Sequence, residues 1–105
     1  MSSRFEIELT AQAEKDLKRL RPLTARATRA LLVLEQNPYL GHALTGSLAG
    51  ARSLEFSLKG GGAYRAIYLV RDADAICLVF IVGPHENIYE RAERRAAALT
   101  RLGRI

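Results

Sequence analysis

Arg65, His85 and Tyr89 are the side chains of this 105-residue sequence whose types and spacing suggest chemistry. Arg65 lies near the start of an apolar stretch after three consecutive glycines, where a cation must be paired or must face a cleft. His85 follows Gly83-Pro84 directly after the most apolar run, and Tyr89 lies four residues further on. If the two apolar stretches are antiparallel strands, Arg65 and His85 converge at one edge of the sheet.

These side-chain types fit the cleavage of RNA by attack of a 2′-hydroxyl on the adjacent phosphate. That reaction needs a base, an acid and positive charge beside the phosphate. Histidine, with an ordinary pKa of roughly 6.5, serves as either base or acid near neutral pH. Arginine binds two phosphate oxygens through its planar guanidinium, and tyrosine stacks on a nucleobase. The reaction requires no metal and no cofactor.

His42 and Glu55 are candidates for the second proton-transfer group. His42 lies in a glycine-flanked loop, and Glu55 lies on the strand predicted to pair with that of Arg65. Each candidate also has a structural interpretation. Arg65 pairs with Glu55 about as readily as with a phosphate, loop histidines are most often solvated, and Tyr89 fits the edge of the core. Taken one at a time, these residues do not separate a catalytic from a structural role.

Hydrophobic periodicity predicts the elements that position these residues. The predicted strands span residues 4–9, 52–58, 64–71 and 76–82, and the predicted helices span residues 11–20, 23–36 and a segment that begins at residue 87. Thr10 is the predicted N-cap of the first helix, and the triple glycine is the predicted turn of a hairpin. This order predicts one α+β domain over residues 1–105, with helices packed on one face of a mostly antiparallel sheet.

Composition and charge indicate which partners and which cellular compartment to expect for this protein. Sixteen Lys and Arg against eleven Asp and Glu give a net charge of +5, which suits a phosphate-rich or acidic protein partner. The first residues contain no apolar segment typical of a signal peptide, and no apolar run reaches the roughly 20 residues of a membrane span. We therefore expect a cytoplasmic protein. Cys77 is expected in the core, and one Cys with two His provides no zinc-ligand spacing.

Four sequence blocks, in order along nearly the whole chain, resemble one protein family. The blocks are Phe5-Glu6-Ile7-Glu8-Leu9-Thr10 leading to Asp16-Leu17; Asn37-Pro38 with Gly41, Leu44-Thr45-Gly46, Leu48 and Gly50; Ala63-Tyr64-Arg65-Ala66-Ile67-Tyr68; and Val82-Gly83 with His85, Tyr89, Ala92 and Arg94-Arg95. The third block is similar to a strand motif of glycine, tyrosine, arginine, two hydrophobic residues and tyrosine. Together they resemble the RelE/ParE superfamily of toxins from type II toxin–antitoxin systems.

The resemblance implies a fold, partners and site residues. RelE-like members are endoribonucleases that cut mRNA on the ribosome and inhibit translation, whereas ParE-like members poison DNA gyrase. Arg65 matches the phosphate-binding arginine of the RelE strand motif, and His85 matches a histidine that acts in acid–base catalysis in YafQ-like members. Tyr89 matches the aromatic residue that follows it, and His42 is similar to a catalytic histidine before the loop leucine. The family also implies a cognate antitoxin, through which the complex binds operator DNA.

One departure from the RelE pattern bears on the choice of activity. RelE has two lysines on the strand before the glycine turn, where this chain has Ser53, Glu55 and Ser57. Glu55 either acts as a carboxylate base or neutralises Arg65, so a gyrase poison and an inactive antitoxin-binding member stay as alternatives. The main hypothesis is a ribosome-dependent mRNA endoribonuclease. Its predicted RNA-phosphate ligands are Arg52, Lys59, Arg91, Arg94 and Arg95.

Overall fold

Five strands and three α-helices form the part of the chain, residues 4–105, that the computed structural model describes. Residues 1–3, on which part of the signal-peptide argument falls, lie outside the described residues. The strands are β1 (Glu6–Leu9), β2 (His42–Ala43), β3 (Ala51–Leu58), β4 (Gly62–Arg71) and β5 (Ile76–Pro84), and the helices are α1 (Ala11–Lys18), α2 (Thr24–Leu31) and α3 (Ile88–Arg101). Short 3₁₀ turns cover Leu32–Glu35, Gly46–Leu48 and Asp72–Asp74.

The strands form a single mixed sheet in the order β1-β5-β4-β3-β2. The meander of β3, β4 and β5 is antiparallel, as predicted, whereas β1 pairs with β5 in parallel. The alternation of β1 predicts a half-buried strand but carries no information about its direction, which the two intervening helices determine. The α+β class is confirmed. The sequence pattern predicts a loop at β2, because a two-residue strand has no measurable alternation.

The glycine turn joins β3 to β4 as a tight hairpin. Leu58 pairs with Gly62, and Gly61 N donates to Leu58 O at 2.8 Å. Gly60 and Gly62 adopt φ values of 88° and 90°, a region that side chains with a Cβ rarely enter. Another residue at either position would strain the backbone, although a Cβ there would meet no neighbouring atom. The strand β4 begins two residues earlier than the sequence pattern predicts.

The helices pack on both faces of the sheet, which corrects the expectation of one face. Successive side chains of β4 point to opposite faces of the sheet. Tyr68 packs in the core under α1 and α2, and Ile67 packs in the core under α3. Ile88 and Ala92 of α3 are fully buried in the second core. The sequence shows that α3 is amphipathic. It does not show which face of the sheet α3 covers, because β5 is apolar on both faces.

A β-bulge in β5 determines which face the end of that strand presents. Ile67 pairs with Ile81 and Tyr68 pairs with Val79, so Phe80 is an extra residue. Phe80 and Ile81 consequently both pack in the core under α3. Beyond the bulge, the alternation is reversed, and Gly83 faces α3: a Cβ there would lie 3.2 Å from Arg91 Nη1 and 3.4 Å from Ile88 Cδ1.

Local predictions about the first helix and the cysteine are confirmed. Thr10 Oγ1 accepts a hydrogen bond from Ala13 N at 3.2 Å, so Thr10 caps α1. Cys77 is fully buried in the core under α1 and α2, and burial raises the pKa of its thiol to about 11. Within residues 4–105 no helix has the length and hydropathy needed to cross a membrane.

Candidate active site

Arg65 is at the centre of the candidate site, on the face of the sheet that α3 covers. It pairs with Glu55 on one side and with Gly83 on the other, so the three residues form one row across β3, β4 and β5. Arg65 Nη2 lies 3.6 Å from Glu55 Oε1, and the guanidinium lies over the Tyr89 ring at 5.1 Å from its centroid. The Arg65 side chain is 21% exposed and that of Glu55 is 58% exposed. The ion pair is therefore long and open to solvent on the Glu55 side.

Arg65 keeps hydrogen-bonding capacity that its neighbours do not use. Within the described part of the chain, buried Arg65 Nε has no hydrogen-bond partner, and the same holds for Ser53 Oγ. Ser53 lies two residues before Glu55 on β3, on the same face of the sheet. A buried polar group without a partner costs free energy, about 1–3 kcal/mol, unless a ligand satisfies it. Arg65 thus has a buried Nε that no described residue satisfies and a guanidinium that is partly open to solvent.

His85 stands at the end of β5, on the α3 side of the sheet. Its backbone N–H donates to Ala63 O at 3.4 Å, so it continues the β4–β5 pairing two residues beyond Gly83. The side chain is exposed. Because the bulge at Phe80 reverses the alternation, His85 falls on the same face as Arg65. The register therefore brings Arg65 and the backbone of His85 to the same end of β4 and β5, which are central strands, rather than to an edge of the sheet.

His42 lies on the same face but far from His85. It pairs with Ser53 in β2, at the opposite margin of the sheet from β5. Three strand spacings of about 4.8 Å and four residues of about 3.3 Å separate the two histidines, which puts their Cα atoms about 20 Å apart. The same geometry puts Glu55 at about 12 Å from His85, with Arg65 between them. Glu55 is therefore better placed than His42 to share one phosphate with His85.

His42 and Tyr89 instead line a common cavity of about 590 Å³ between the loop after β2 and α3. Besides His42, Ala43 of β2 and residues 44–48 of the following loop line it, and α3 contributes Tyr89 and Glu93, which are four residues apart on one helix face. Ser47 Oγ donates a hydrogen bond to Glu93 Oε2 across the cavity. Since Tyr89 also contacts Arg65, the cavity opens beside the Arg65 site.

Arg52 has a structural role on the opposite face. It pairs with Tyr68, whose ring belongs to the core under α1 and α2. Arg52 Nε donates to Gly41 O at 2.7 Å and Nη2 donates to Tyr39 O at 3.1 Å, while the guanidinium lies over the Tyr39 ring. Arg52 therefore anchors the loop before β2 and is separated by the sheet from Arg65.

The arginines of α3 lie on its other side, away from the Tyr89 cavity. Arg95 Nη1 donates to Asp16 Oδ2 at 2.5 Å and to Phe80 O at 3.0 Å, so its charge is already paired. Arg91 is more exposed and lies 4.0 Å from the same carboxylate, and Arg94 is exposed. Lys59 is exposed in the glycine turn. Of the five predicted phosphate ligands, Lys59, Arg91 and Arg94 present cations to solvent.

Three residues of the site escaped the sequence interpretation. Ser53 reads as an ordinary outward-facing strand residue, and only the structure reveals that it is 1% exposed. Glu93 reads as a partner for neighbouring arginines, although its spacing of four from Tyr89 places both on one face. The sequence places Asp16 only in the first of the four blocks, whereas the structure shows that it is 3% exposed. It also accepts from Val82 N at 3.0 Å.

Comparisons with known proteins identify the class. The family model described as ParE-like toxin of type II bacterial toxin–antitoxin system matches residues 7–93. The chain is therefore a toxin of a type II toxin–antitoxin system. It belongs to the ParE-like toxin family, within the RelE/ParE superfamily. A comparison with curated protein sequences gave no significant match.

Solved structures of related toxins share the fold. A chain of the RelBE2 toxin–antitoxin complex from Mycobacterium tuberculosis has a TM-score of 0.68 at 24% identity, covering 81% of this chain and 95% of that one. A double arginine-to-alanine mutant of the E. coli toxin RelE in the free state has a TM-score of 0.67 at 18% identity, covering 86% and 93%. A chain of the intact E. coli RelBE complex has a TM-score of 0.60 at 19% identity, covering 78% and 98%. At these identities the likeness establishes the fold alone.

Proposed function

We propose that this toxin is a ribosome-dependent mRNA endoribonuclease whose active site is the row of Arg65 and Glu55 together with His85. The observation that supports it most is the state of Arg65. Its guanidinium lies over the Tyr89 ring, its Nε is unpaired among the described residues, and its β4 neighbour Ala63 accepts a backbone hydrogen bond from His85. A guanidinium in this position suits a phosphate, which accepts donors from two sides.

In the proposed reaction Arg65 binds the scissile phosphate and stabilises the charge that develops on its oxygens. One of His85 and Glu55 takes the proton from the 2′-hydroxyl, whose oxygen forms a bond to phosphorus. The other group donates a proton to the 5′ oxygen as the bond between phosphorus and that oxygen breaks. The products are a 2′,3′-cyclic phosphate and a free 5′-hydroxyl. His85 is exposed, so an RNA substrate can reach it.

The partners follow from the family and from the charge. Solved neighbours include toxin–antitoxin complexes, which supports a cognate antitoxin for this chain. Lys59, Arg91 and Arg94, which are at least partly exposed, together with the net charge of +5, suit a polyanionic surface such as ribosomal RNA and mRNA backbone. Because this attraction is electrostatic, it weakens as the salt concentration rises. The antitoxin, rather than the toxin, would carry the operator-binding element.

The test is induction of the toxin in cells without its antitoxin, followed by sequencing of RNA 5′ ends. We expect translation to stop and new 5′ ends to appear within translated codons. The Arg65→Ala and His85→Ala variants should each reduce these ends by about 10²-fold or more while remaining folded. The control Lys15→Ala alters an exposed cation of α1 and should leave cleavage unchanged. Intact messages in cells that express folded wild-type protein would refute the nuclease, and unaffected growth would indicate an inactive antitoxin-binding member.

Gyrase inhibition is the second candidate, and two observations favour it. The matching family model is that of ParE-like toxins, and Glu55 stands 3.6 Å from Arg65, where the nuclease pattern has lysine. A gyrase poison would cause DNA breaks and a DNA-damage response while protein synthesis continued. Its toxicity would be insensitive to His85→Ala. The same induction experiment therefore distinguishes the two activities.

A further inference from the structure

The cavity between α3 and the segment from His42 to Leu48 is open to solvent and is lined by an aromatic ring, an imidazole and a carboxylate. Its volume of about 590 Å³ exceeds that of one nucleobase, and its walls are the Tyr89 side chain, His42 and residues 43–48. Aromatic and imidazole side chains bind unpaired bases by stacking. Leu48, which is only 7% exposed, adds an apolar contact to the lining. The volume and the lining thus suit an unstacked base.

Glu93 gives the cavity a distinct chemical preference. An ionised carboxylate accepts hydrogen bonds and donates none. Ser47 Oγ occupies one lone pair of Glu93 Oε2, which holds the carboxylate at the cavity wall while its other lone pairs are open. Guanine is the base that presents two adjacent N–H donors, N1–H and N2–H, on its Watson–Crick edge. Adenine and cytosine offer a single amino group there, and uracil offers a single N–H.

Tyr89 connects this cavity to the phosphate site. The Arg65 guanidinium lies 5.1 Å from the centroid of the Tyr89 ring, and Tyr89 also forms a wall of the cavity. A nucleotide whose phosphate is bound by Arg65 therefore has its own base, or that of its neighbour, within reach of the cavity. The cavity lies on the Glu55 side of Arg65, since its outer wall includes His42 of β2.

We propose that the cavity is a guanine-specific base subsite, in which Glu93 accepts from guanine N1–H and N2–H and the ring lies between Tyr89 and the loop. This inference rests on the proposed function, because it names the nucleotide that the Arg65 site takes. Glu93 is a specificity-determining residue in this scheme. It makes no contribution to proton transfer.

The first test measures binding of the four nucleoside 5′-monophosphates to the purified chain by NMR titration. We expect GMP to bind about tenfold more tightly than AMP, CMP or UMP, which is the discrimination of one good bidentate contact. Glu93→Gln replaces one acceptor with a donor and should reduce that preference to less than about twofold. Glu90→Gln, at another exposed carboxylate of α3, should leave the preference intact. Arg65→Ala should weaken all four nucleotides alike.

The second test compares the bases next to the cut sites made by the wild type and by Glu93→Gln in cells. Guanine enrichment at one fixed position that disappears in Glu93→Gln supports the subsite. Equal affinity for the four nucleotides, or the same base composition at the cuts of both proteins, overturns the subsite while the nuclease proposal stands. A guanine preference in binding without any RNA cuts overturns the nuclease proposal and leaves the base subsite.

Discussion

The Arg65 guanidinium makes one long ion pair, with Glu55, and one ring contact, with Tyr89. The sequence gives equal support to a salt bridge and to a phosphate ligand at this position. The 3.6 Å contact with Glu55 agrees with a salt bridge. The Nε atom, which has no partner in residues 4–105, leaves a donor for a phosphate ligand. A structural arginine in a sheet would normally satisfy its donors more completely, as Arg95 does with Asp16 and Phe80 O.

Glu55 and His42 can be distinguished by mutation. We expect Glu55→Gln to lower the rate of RNA cleavage by about 10²-fold, because Gln keeps the shape of Glu55 but cannot accept a proton. His42→Ala should lower the rate by less than about tenfold, because His42 lies about 20 Å from His85. Cleavage by each purified variant on ribosomes carrying a defined message measures both effects. A loss in His42→Ala that equals the loss in His85→Ala would contradict the assignment of Glu55.

Because of Cys77, we expect the free energy of unfolding to depend on pH in the alkaline range. Burial raises the pKa of its thiol from 9.0 to about 11, so the folded state holds this proton at pH values where the unfolded state has lost it. The free energy of unfolding should therefore fall as pH rises from about 9 to 11. Urea denaturation of the wild type and of Cys77→Ala at pH 7 and pH 10 measures the effect.

In Cys77→Ala the free energy of unfolding should decrease less between pH 7 and pH 10 than it does in the wild type. The pKa of Tyr68 is also raised by burial, so part of the decrease will remain in that variant. An identical pH dependence in the wild type and in Cys77→Ala would contradict the role given to the thiol.

At the scale of elements, the sequence predicts the positions of the helices and strands better than the way they pack together. Alternation at β3 and the apolar run at β5 locate both strands within two residues of their ends. Alternation cannot reveal the bulge at Phe80, because residues 76–82 are apolar at every position. Yet this bulge turns Gly83 and His85 onto the face of Arg65. Strand order alone predicts that Arg65 and His85 lie toward the same end of their strands, whereas the shared face depends on a backbone irregularity that leaves no sequence signal.

A buried carboxylate connects α1, β5 and α3. Asp16 is 3% exposed, accepts from Val82 N at 3.0 Å and from Arg95 Nη1 at 2.5 Å, and lies where β1 has ended and leaves β5 unpaired. Its carboxylate accepts the Val82 N–H that a neighbouring strand would otherwise bind. Because it also binds Arg95, it fixes the end of β5 relative to α3. The position of His85 relative to Tyr89 therefore depends on this contact.

Loss of the Asp16 carboxylate should destabilise the protein strongly. We expect Asp16→Ala to lower the free energy of unfolding by about 3–5 kcal/mol, because it leaves Arg95 and the Val82 N–H without their acceptor. The exposed control Glu14→Ala on the same helix should change it by less than about 0.5 kcal/mol. Urea denaturation provides the measurement. Adding Arg95→Ala to Asp16→Ala should cost less than the sum of the single changes, and full additivity would contradict a direct coupling.

At the scale of the whole molecule, the family could be identified from loosely spaced sequence blocks, and the match over residues 7–93 confirms it. Fold and family do not determine the activity, since toxins with the same fold act on different targets. The nuclease proposal depends on a few side chains at one site: Arg65 and Glu55 of the sheet, His85 after β5, and Tyr89 of α3. In that proposal they bind the phosphate and transfer protons.

The most direct measurement uses purified toxin and ribosomes that hold a defined mRNA, with the 3′ ends of the products analysed chemically. We expect cuts at one position in the A-site codon, 2′,3′-cyclic phosphate ends, and a rate about 10²-fold lower for Arg65→Ala and for His85→Ala. Uncut mRNA with the folded wild-type protein, together with inhibition of DNA gyrase by the same preparation, would contradict it.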